Sequence, residues 1–88
     1  MEVINGYSMN LKNTKLKIQT RLHILRAEKR ITQEELAEEI GVTRGTIIAI
    51  EKGNYNPTLD LAFKLSLYFK TDLQNIFYLE DLKNEKNK

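Results

Sequence analysis

The sequence predicts a mainly α-helical fold of five short helices with a two-stranded antiparallel β-ribbon. Apolar residues recur at helical spacing in successive segments of eight to eleven residues. Capping residues precede these segments, and glycine or turn residues follow most of them. Two short segments that alternate apolar and polar residues, "LKIQT" and "FYLED", flank the helices and predict two strands, which could pair with each other at the domain's edge or across a dimer.

The first two helices are predicted from "TRLHILRAEKR" and "ITQEELAEEIG". In the first, Leu22 and Leu25 share one face. In the second, Thr32 and Glu35 have the spacing of a capping box, in which each side chain bonds the other residue's backbone N–H. Gly41 supplies the exit of the second helix.

Three further helices are predicted downstream. "TRGTIIAIEKG" begins after Thr43 as its N-cap and stops at Gly53. After the turn residues of "GNYNP", Thr58 caps "LDLAFKLSLYF". Asp72 is expected to cap a last short helix, "LQNIF".

The domain is expected to span residues 16–82, including a dimerising C-terminal part. Residues 1–15 are polar without a sustained period, and we interpret them as a flexible N-terminal arm. Residues 83–88 form a charged tail that is expected to fray. The net charge of +2 and a pI near 8.9 are weak indications of an anionic partner.

Composition argues against several classes of function. The 88 residues contain no Cys and a single His, so we expect no metal site, no cofactor and no enzymatic activity. No apolar run approaches the roughly 20 residues of a membrane span, and no signal-peptide segment opens the chain. A cytoplasmic location follows as the default expectation, with no evident small-molecule ligand.

Two short helices joined by a tight turn predict a helix-turn-helix. Ala37 is small where the helices must approach, Gly41 occupies the turn, and Val42 and Ile47 are apolar where the second helix packs on the first. Here the chain resembles the Cro/repressor-type helix-turn-helix family, also called XRE. The segments "TQEELAEEIGVTRGTI" and "IEKGNYNPTL" carry the resemblance, which spans about Leu22 to Phe77.

This resemblance implies a sequence-specific regulator of transcription that binds double-stranded DNA, usually as a homodimer. The flanking strands are similar to those of small cytolysin-repressor-type regulators, where they lie beside the dimer interface. The resemblance also implies that Arg26 and Glu51 form a partly buried ion pair that fixes the recognition helix. We therefore expect a repressor that binds a palindromic operator with residues 44–52 in the major groove.

A helical wheel separates two sides of residues 44–52. Ile47 and Ile50 point toward a core, and the opposite side is expected to face DNA. Its predicted base-reading residues are Arg44, Gly45, Ile48 and Ala49. Arg44 could bond guanine through two N–H groups, and Ile48 and Ala49 could meet thymine methyl groups. The alternatives are a phosphate contact for Arg44 and simple exposure or loop packing for Ile48.

Gly45 stands where a side chain would be expected, since glycine inside a helix costs roughly 1 kcal/mol relative to alanine. Relatives commonly carry a base-reading Gln at this position. We interpret Gly45 as giving up a side-chain contact in exchange for close approach of the backbone to DNA.

Phosphate contacts are predicted on both sides of the recognition helix. The predicted phosphate-binding residues are Gln33, Thr43, Thr46, Lys52, Asn54, Tyr55 and Asn56. Asn54 and Asn56 could equally serve turn formation, and Tyr55 could instead cover the core. The acidic run "EELAEE" is expected to face away from DNA.

The dimer interface is predicted in the apolar C-terminal part. The residues expected to form it are Leu67, Phe69, Leu73, Ile76, Phe77 and Leu79. An ordinary monomer core would claim some of them. A competing interpretation of the whole chain is an antitoxin-like or adaptor module whose helix-turn-helix reads DNA weakly or not at all.

Overall fold

The computed structural model describes residues 11–80, and within them the chain forms four α-helices and one small sheet. The helices are α1 (Leu22–Lys29), α2 (Gln33–Ile40), α3 (Arg44–Glu51) and α4 (Leu59–Phe69). Strands β1 (Ile18–Thr20) and β2 (Phe77–Leu79) flank them, and 3-10 turns lie at Leu11–Asn13 and Leu73–Asn75. The predicted mainly helical fold with an antiparallel ribbon is confirmed.

The predicted N-terminal arm and C-terminal tail fall largely outside this range. Residues 1–10 of the arm and all of the tail at 83–88 are not among the described residues. The last part of the arm includes the 3-10 turn Leu11–Asn13. None of the helices within residues 11–80 is long and apolar enough to cross a lipid bilayer.

Three of the four helices, α2, α3 and α4, begin directly after a threonine. Thr32 Oγ1 accepts from the Glu35 N–H at 3.0 Å, and Glu35 Oε1 accepts from the Thr32 N–H at 2.8 Å, which completes the capping box. Thr43 and Thr58 each accept a backbone N–H three residues on. Each such cap stabilises its helix by about 1 kcal/mol.

Three helices end in the same backbone motif, in which two N–H groups past the helix bond back to its last turn. At α3 the left-handed residue is Gly53, with φ of 81°, where glycine is unstrained. At α1 it is Arg30 and at α4 it is Lys70, with φ of 60° and 56°. The hydrogen bonds match, since Ile31 N–H reaches Arg26 O and Thr71 N–H reaches Ser66 O.

One core joins the four helices. Ten apolar residues are buried in it: Leu22, Leu36, Ala37, Ile40, Ile47, Ile50, Leu61, Ala62, Leu65 and Ile76. Removing a side chain such as Leu or Ile from water contributes roughly 1.5–3 kcal/mol. The core therefore rests on the apolar stripes that the helical spacing predicts, with Leu25 and Phe69 packed against its edge.

The ribbon closes onto this core through Ile76. β1 and β2 pair with Ile18 opposite Leu79 and Thr20 opposite Phe77. The Ile76 carbonyl accepts from the Arg21 N–H at 2.8 Å and from Thr20 Oγ1 at 2.9 Å. These bonds tie the start of α1 to the end of the domain.

Two sequence expectations are wrong in detail. The fifth helix is only the 3-10 turn Leu73–Asn75, because Phe77 already pairs with β1, and Asp72 makes no side-chain cap bond. Ile76 does not belong to an exposed dimer surface, because the chain's own core encloses it completely. Phe69 also packs against this core, with its ring 5.0 Å from that of Tyr68.

Candidate nucleic-acid interface

A glycine turn sets the angle between α2 and α3. Gly41 ends α2 with φ of 88°, a region that other residues rarely adopt. The N–H groups of Gly41 and Val42 both donate to Ala37 O, at 2.8 and 3.0 Å. Ala37 is buried at this corner, where its small side chain allows the helices to approach. The sequence pattern therefore folds into the helix-turn-helix that it predicts.

The two sides of α3 differ in exposure as the wheel predicts. Ile47 and Ile50 are buried in the core, whereas Arg44 and Gly45 are exposed at the helix start. Ile48 and Ala49 are half-buried, so each offers only part of its surface to a ligand. We call the outward set Arg44, Gly45, Ile48 and Ala49 the reading face.

Within residues 11–80, no close contact requires glycine at position 45. A Cβ placed there would meet only Thr43 Oγ1, at 3.8 Å, which is ordinary van der Waals contact. Its φ lies outside the left-handed region that Gly41 and Gly53 occupy. The described part of the fold would therefore accept a side chain at this position.

A polar network fixes the end of α3 against α1 and α2. Arg26 Nε donates to Glu51 Oε2 at 2.8 Å, and Arg26 Nη2 donates to Glu51 Oε1 at 3.2 Å. Gln33 Nε2 donates to the same Oε1 at 3.1 Å, and Arg26 Nη1 donates to Ile31 O at 3.0 Å. The hydrogen bond to Glu51 raises the pKa of Arg26 further above its ordinary value, although partial burial opposes this.

The network assigns Gln33 a role that its sequence position does not predict. The spacing of 18 residues from Glu51 carries no local signal, so only the fold brings the two side chains together. An amide nitrogen has two hydrogens, and the bond to Glu51 uses one of them. No described residue accepts the second hydrogen, and the first N–H groups of a helix have no partner within the helix.

The two threonines at the start of α3 are coupled. Thr43 Oγ1 accepts from the Thr46 N–H at 3.1 Å and lies 3.0 Å from Thr46 Oγ1. If Thr46 donates within this pair, the Thr43 hydroxyl hydrogen is directed elsewhere. Thr43 is exposed and Thr46 is half-buried, so Thr43 is the better placed outward donor.

The loop after α3 presents its polar side chains to solvent. Lys52, Asn54, Tyr55 and Asn56 are all exposed, and the Asn54 N–H closes the end of α3 on Ala49 O at 2.9 Å. Tyr55 is 41% exposed and lines a small cavity together with Ile50 and Phe77. Asn56 borders a groove beside α4 as well as the loop.

The acidic side of α2 faces α4. Burial raises the pKa of Tyr68, and the carboxylates of Glu39 and Glu35 raise it further, which places both acids near α4. Lys29 lies 5.1 Å above the Tyr68 ring and offsets part of this charge. Glu35 and Glu39 of α2 thus interact with Tyr68 of α4 rather than with the reading face.

The predicted dimer interface includes Leu67 but misses Leu59 and Phe63, which lie on the same face of α4. Leu59, Phe63 and Leu67, spaced by four residues on one helix face, are 68%, 51% and 75% exposed. Beside them an open groove of about 550 Å³ runs along Phe63, Leu73 and Phe77. The spacing of Leu59 and Phe63 is visible in the sequence, but it does not reveal which apolar face of α4 the core leaves uncovered.

A helix-turn-helix family profile matches residues 22–76, which include α1 to α4 and the 3-10 turn before β2. The chain belongs to the helix-turn-helix family of XRE, or Cro/repressor, type. It is accordingly a DNA-binding regulator of transcription rather than an enzyme.

Individual relatives agree with this assignment. An uncharacterized HTH-type transcriptional regulator of Methanocaldococcus jannaschii is 48% identical over 64 residues, covering 73% of this chain and 97% of the relative. The cryptic phage CTXphi transcriptional repressor RstR of Vibrio cholerae is 38% identical over 50 residues, covering 57% of this chain and 45% of RstR.

A solved structure shows the same fold. The restriction-modification controller protein C.AhdI of Aeromonas hydrophila aligns with a TM-score of 0.58 at 31% identity. The alignment covers 62% of this chain and 80% of C.AhdI.

Proposed function

We propose that this protein is a repressor that binds a palindromic operator as a homodimer, with α3 of each protomer in the major groove. The observation that carries the proposal is the network of Arg26, Gln33 and Glu51, which holds α3 at one end while its reading face stays exposed. In this motif, base edges are contacted by a rigidly held helix whose N-terminal residues are exposed. RstR, a relative with 38% identity, is itself a repressor.

The base-reading role is proposed for the reading face. The Arg44 side chain is exposed, and no described residue forms a hydrogen bond or ion pair with it. A guanidinium in this position can bond guanine O6 and N7 together. Gly45 next to it brings the backbone close to the groove, and the exposed parts of Ile48 and Ala49 offer apolar contact to thymine methyl groups.

The phosphate-binding role is proposed for donors that border this face. Gln33 retains one amide hydrogen, Thr43 has an exposed hydroxyl group, and Lys52 has an exposed ammonium group. Thr46, Asn54, Tyr55 and Asn56 complete the proposed set. Contacts of this kind fix the register of the protein on the duplex and carry no sequence information themselves.

The dimer surface is proposed on the uncovered face of α4. We define the α4 face as Leu59, Phe63 and Leu67. To it we add Leu73 and Phe77, which line the neighbouring groove, and the exposed Leu79, which pairs with Ile18 of that groove. A two-fold dimer pairs one such surface with its own copy. Exposed apolar side chains at this density are typical of an interaction site.

A salt titration tests the proposal most simply. A specific regulator should bind the duplex obtained by in vitro selection, the selected duplex, more tightly than a scrambled duplex. Its affinity should also fall steeply as the salt concentration rises. Such a regulator would act in the cytoplasm, because prokaryotic operator DNA lies there. Equal, weak binding to both duplexes would instead favour an antitoxin-like or adaptor module.

A further inference from the structure

We propose that Arg30 is an additional contact to a DNA phosphate, at the junction of α1 and α2. The inference rests on the proposed function and extends its binding surface. Arg30 is exposed, and within residues 11–80 its guanidinium forms no hydrogen bond, ion pair or ring contact. The neighbouring Lys29 differs, because its ammonium group lies over the Tyr68 ring.

The backbone of Arg30 indicates that the fold itself would favour a different residue. Arg30 has φ of 60° and ψ of 44°, the left-handed conformation that is strained for residues with a Cβ. In the same hydrogen-bonding motif at the end of α3 the chain uses Gly53, which has no such strain. Arg30 therefore occupies a site where glycine would serve the fold better, and an exposed, unpaired cation stands there instead.

The network around Glu51 places the residue that follows Arg30 beside the proposed phosphate contacts. Ile31, the next residue, accepts a hydrogen bond from Arg26 through its carbonyl oxygen, and Arg26 holds Glu51 at the end of α3. Gln33 donates to the same carboxylate. The α1–α2 junction is thus fixed next to the end of α3, where Lys52 follows. Arg30, Gln33 and Lys52 supply positive charge and donors to one DNA strand.

Lys70 provides a matched comparison inside the same molecule. It has φ of 56° and ψ of 47° at the end of α4, in the same motif as Arg30. The hydrogen bonds around it join α4 only to Thr71 and the 3-10 turn that follows. Lys70 therefore shares the charge and the backbone strain of Arg30 but lacks its connection to α3.

The test compares Arg30→Gly with Lys70→Gly in the full chain, using the selected duplex and a scrambled duplex over a range of salt. Both variants should melt a few degrees higher than wild type, because glycine relieves the left-handed strain. Arg30→Gly should bind both duplexes about threefold to tenfold more weakly. The slope of the logarithm of the DNA-binding constant against the logarithm of the salt concentration should decrease in magnitude by about one per protomer. Arg30→Lys should keep most of the slope.

Three results would overturn the inference while wild type still prefers its selected duplex. These are an unchanged salt slope in Arg30→Gly, an equal loss of slope in Lys70→Gly, and a changed base preference in Arg30→Gly. The second would indicate a general effect of net charge, and the third a base contact. Failure of the wild type to prefer any duplex would instead remove the proposed function on which the inference rests.

Discussion

On the α2–α3 side of the molecule polar side chains bond one another, whereas on α4 apolar side chains stand in solvent. Arg26, Gln33 and Glu51 share four hydrogen bonds with one another and with the Ile31 carbonyl. Leu59, Phe63 and Leu67 remain more than half exposed. The polar side chains of the first region find their hydrogen-bond partners within one chain. The apolar side chains of the second region are left uncovered by the described residues.

The difference fits the tasks that we propose for the two regions. A helix that reads DNA has to be rigid before binding, because ordering it on the duplex would reduce affinity. A dimer surface has to remain apolar and open until the second copy covers it. We therefore expect substitutions in the first region to act on the folded chain, and substitutions on the α4 face to act on association.

Loss of the Glu51 carboxylate should produce the largest effect. Glu51→Ala should destabilise the chain by about 2–4 kcal/mol, because the Arg26 charge is left partly buried without its partner. The side chains of Arg26 and Glu51 are only 20% and 9% exposed. Urea unfolding at fixed protein concentration measures the change. The double variant Arg26→Met with Glu51→Met should lose less than Glu51→Ala, and an equal or larger loss would contradict this account.

A charge on the α4 face should separate association from folding. Phe63→Glu should raise the dimer dissociation constant about tenfold to a hundredfold, because burying an unpaired carboxylate is unfavourable. Sedimentation in the micromolar range should then show a 10.3 kDa monomer that is still folded. Ile24→Glu is the control, since Ile24 on α1 is 44% exposed but lies outside the proposed surface. Equal effects of both substitutions would argue against a dimer through α4.

Truncation of Arg44 should alter sequence preference at a single position. Arg44→Ala should lose about 1–3 kcal/mol of discrimination at one base pair per half-site, because the fork of N–H donors is gone. Lys52→Ala should weaken all sequences about equally. Comparison of selected-site profiles distinguishes the two, and superimposable wild-type and Arg44→Ala profiles would exclude Arg44 as a base reader.

A methyl group at position 45 should have the smallest effect on the fold. Gly45→Ala should stabilise α3 by up to about 1 kcal/mol, since alanine favours a helix and the site has room. Affinity for the selected duplex should nevertheless fall, because the added Cβ would separate the backbone from the groove. Melting curves and binding titrations on the same preparation measure both. Unchanged affinity would mean that Gly45 is merely tolerated.

Most of the fold could be predicted because its signals are local. The threonine caps, the Thr32–Glu35 box and the apolar stripes of α2 and α3 depend on spacings of three or four residues. The failures are at positions where distant contacts decide. In the sequence Ile76 resembles an exposed apolar residue, but in the fold it is fully buried. The predicted fifth helix does not extend to Phe77, because Phe77 pairs with β1.

The site was partly predictable for the same reason. The outward position of Arg44 follows from helical periodicity, and the ion pair of Arg26 with Glu51 follows only from family resemblance. The bond between Gln33 and Glu51 and the left-handed backbone of Arg30 have no signature in the sequence. The first arises where α2 meets the end of α3, and the second from the hydrogen-bonding motif that ends α1.

In vitro selection of bound duplexes by the wild-type chain tests the central claim most directly. A homodimer with α3 in the major groove should enrich two inverted half-sites whose centres lie about one helical turn, roughly 34 Å, apart. Each half-site should contain a guanine whose selection depends on Arg44. Enrichment of no sequence, or of one unrepeated half-site, would contradict the account.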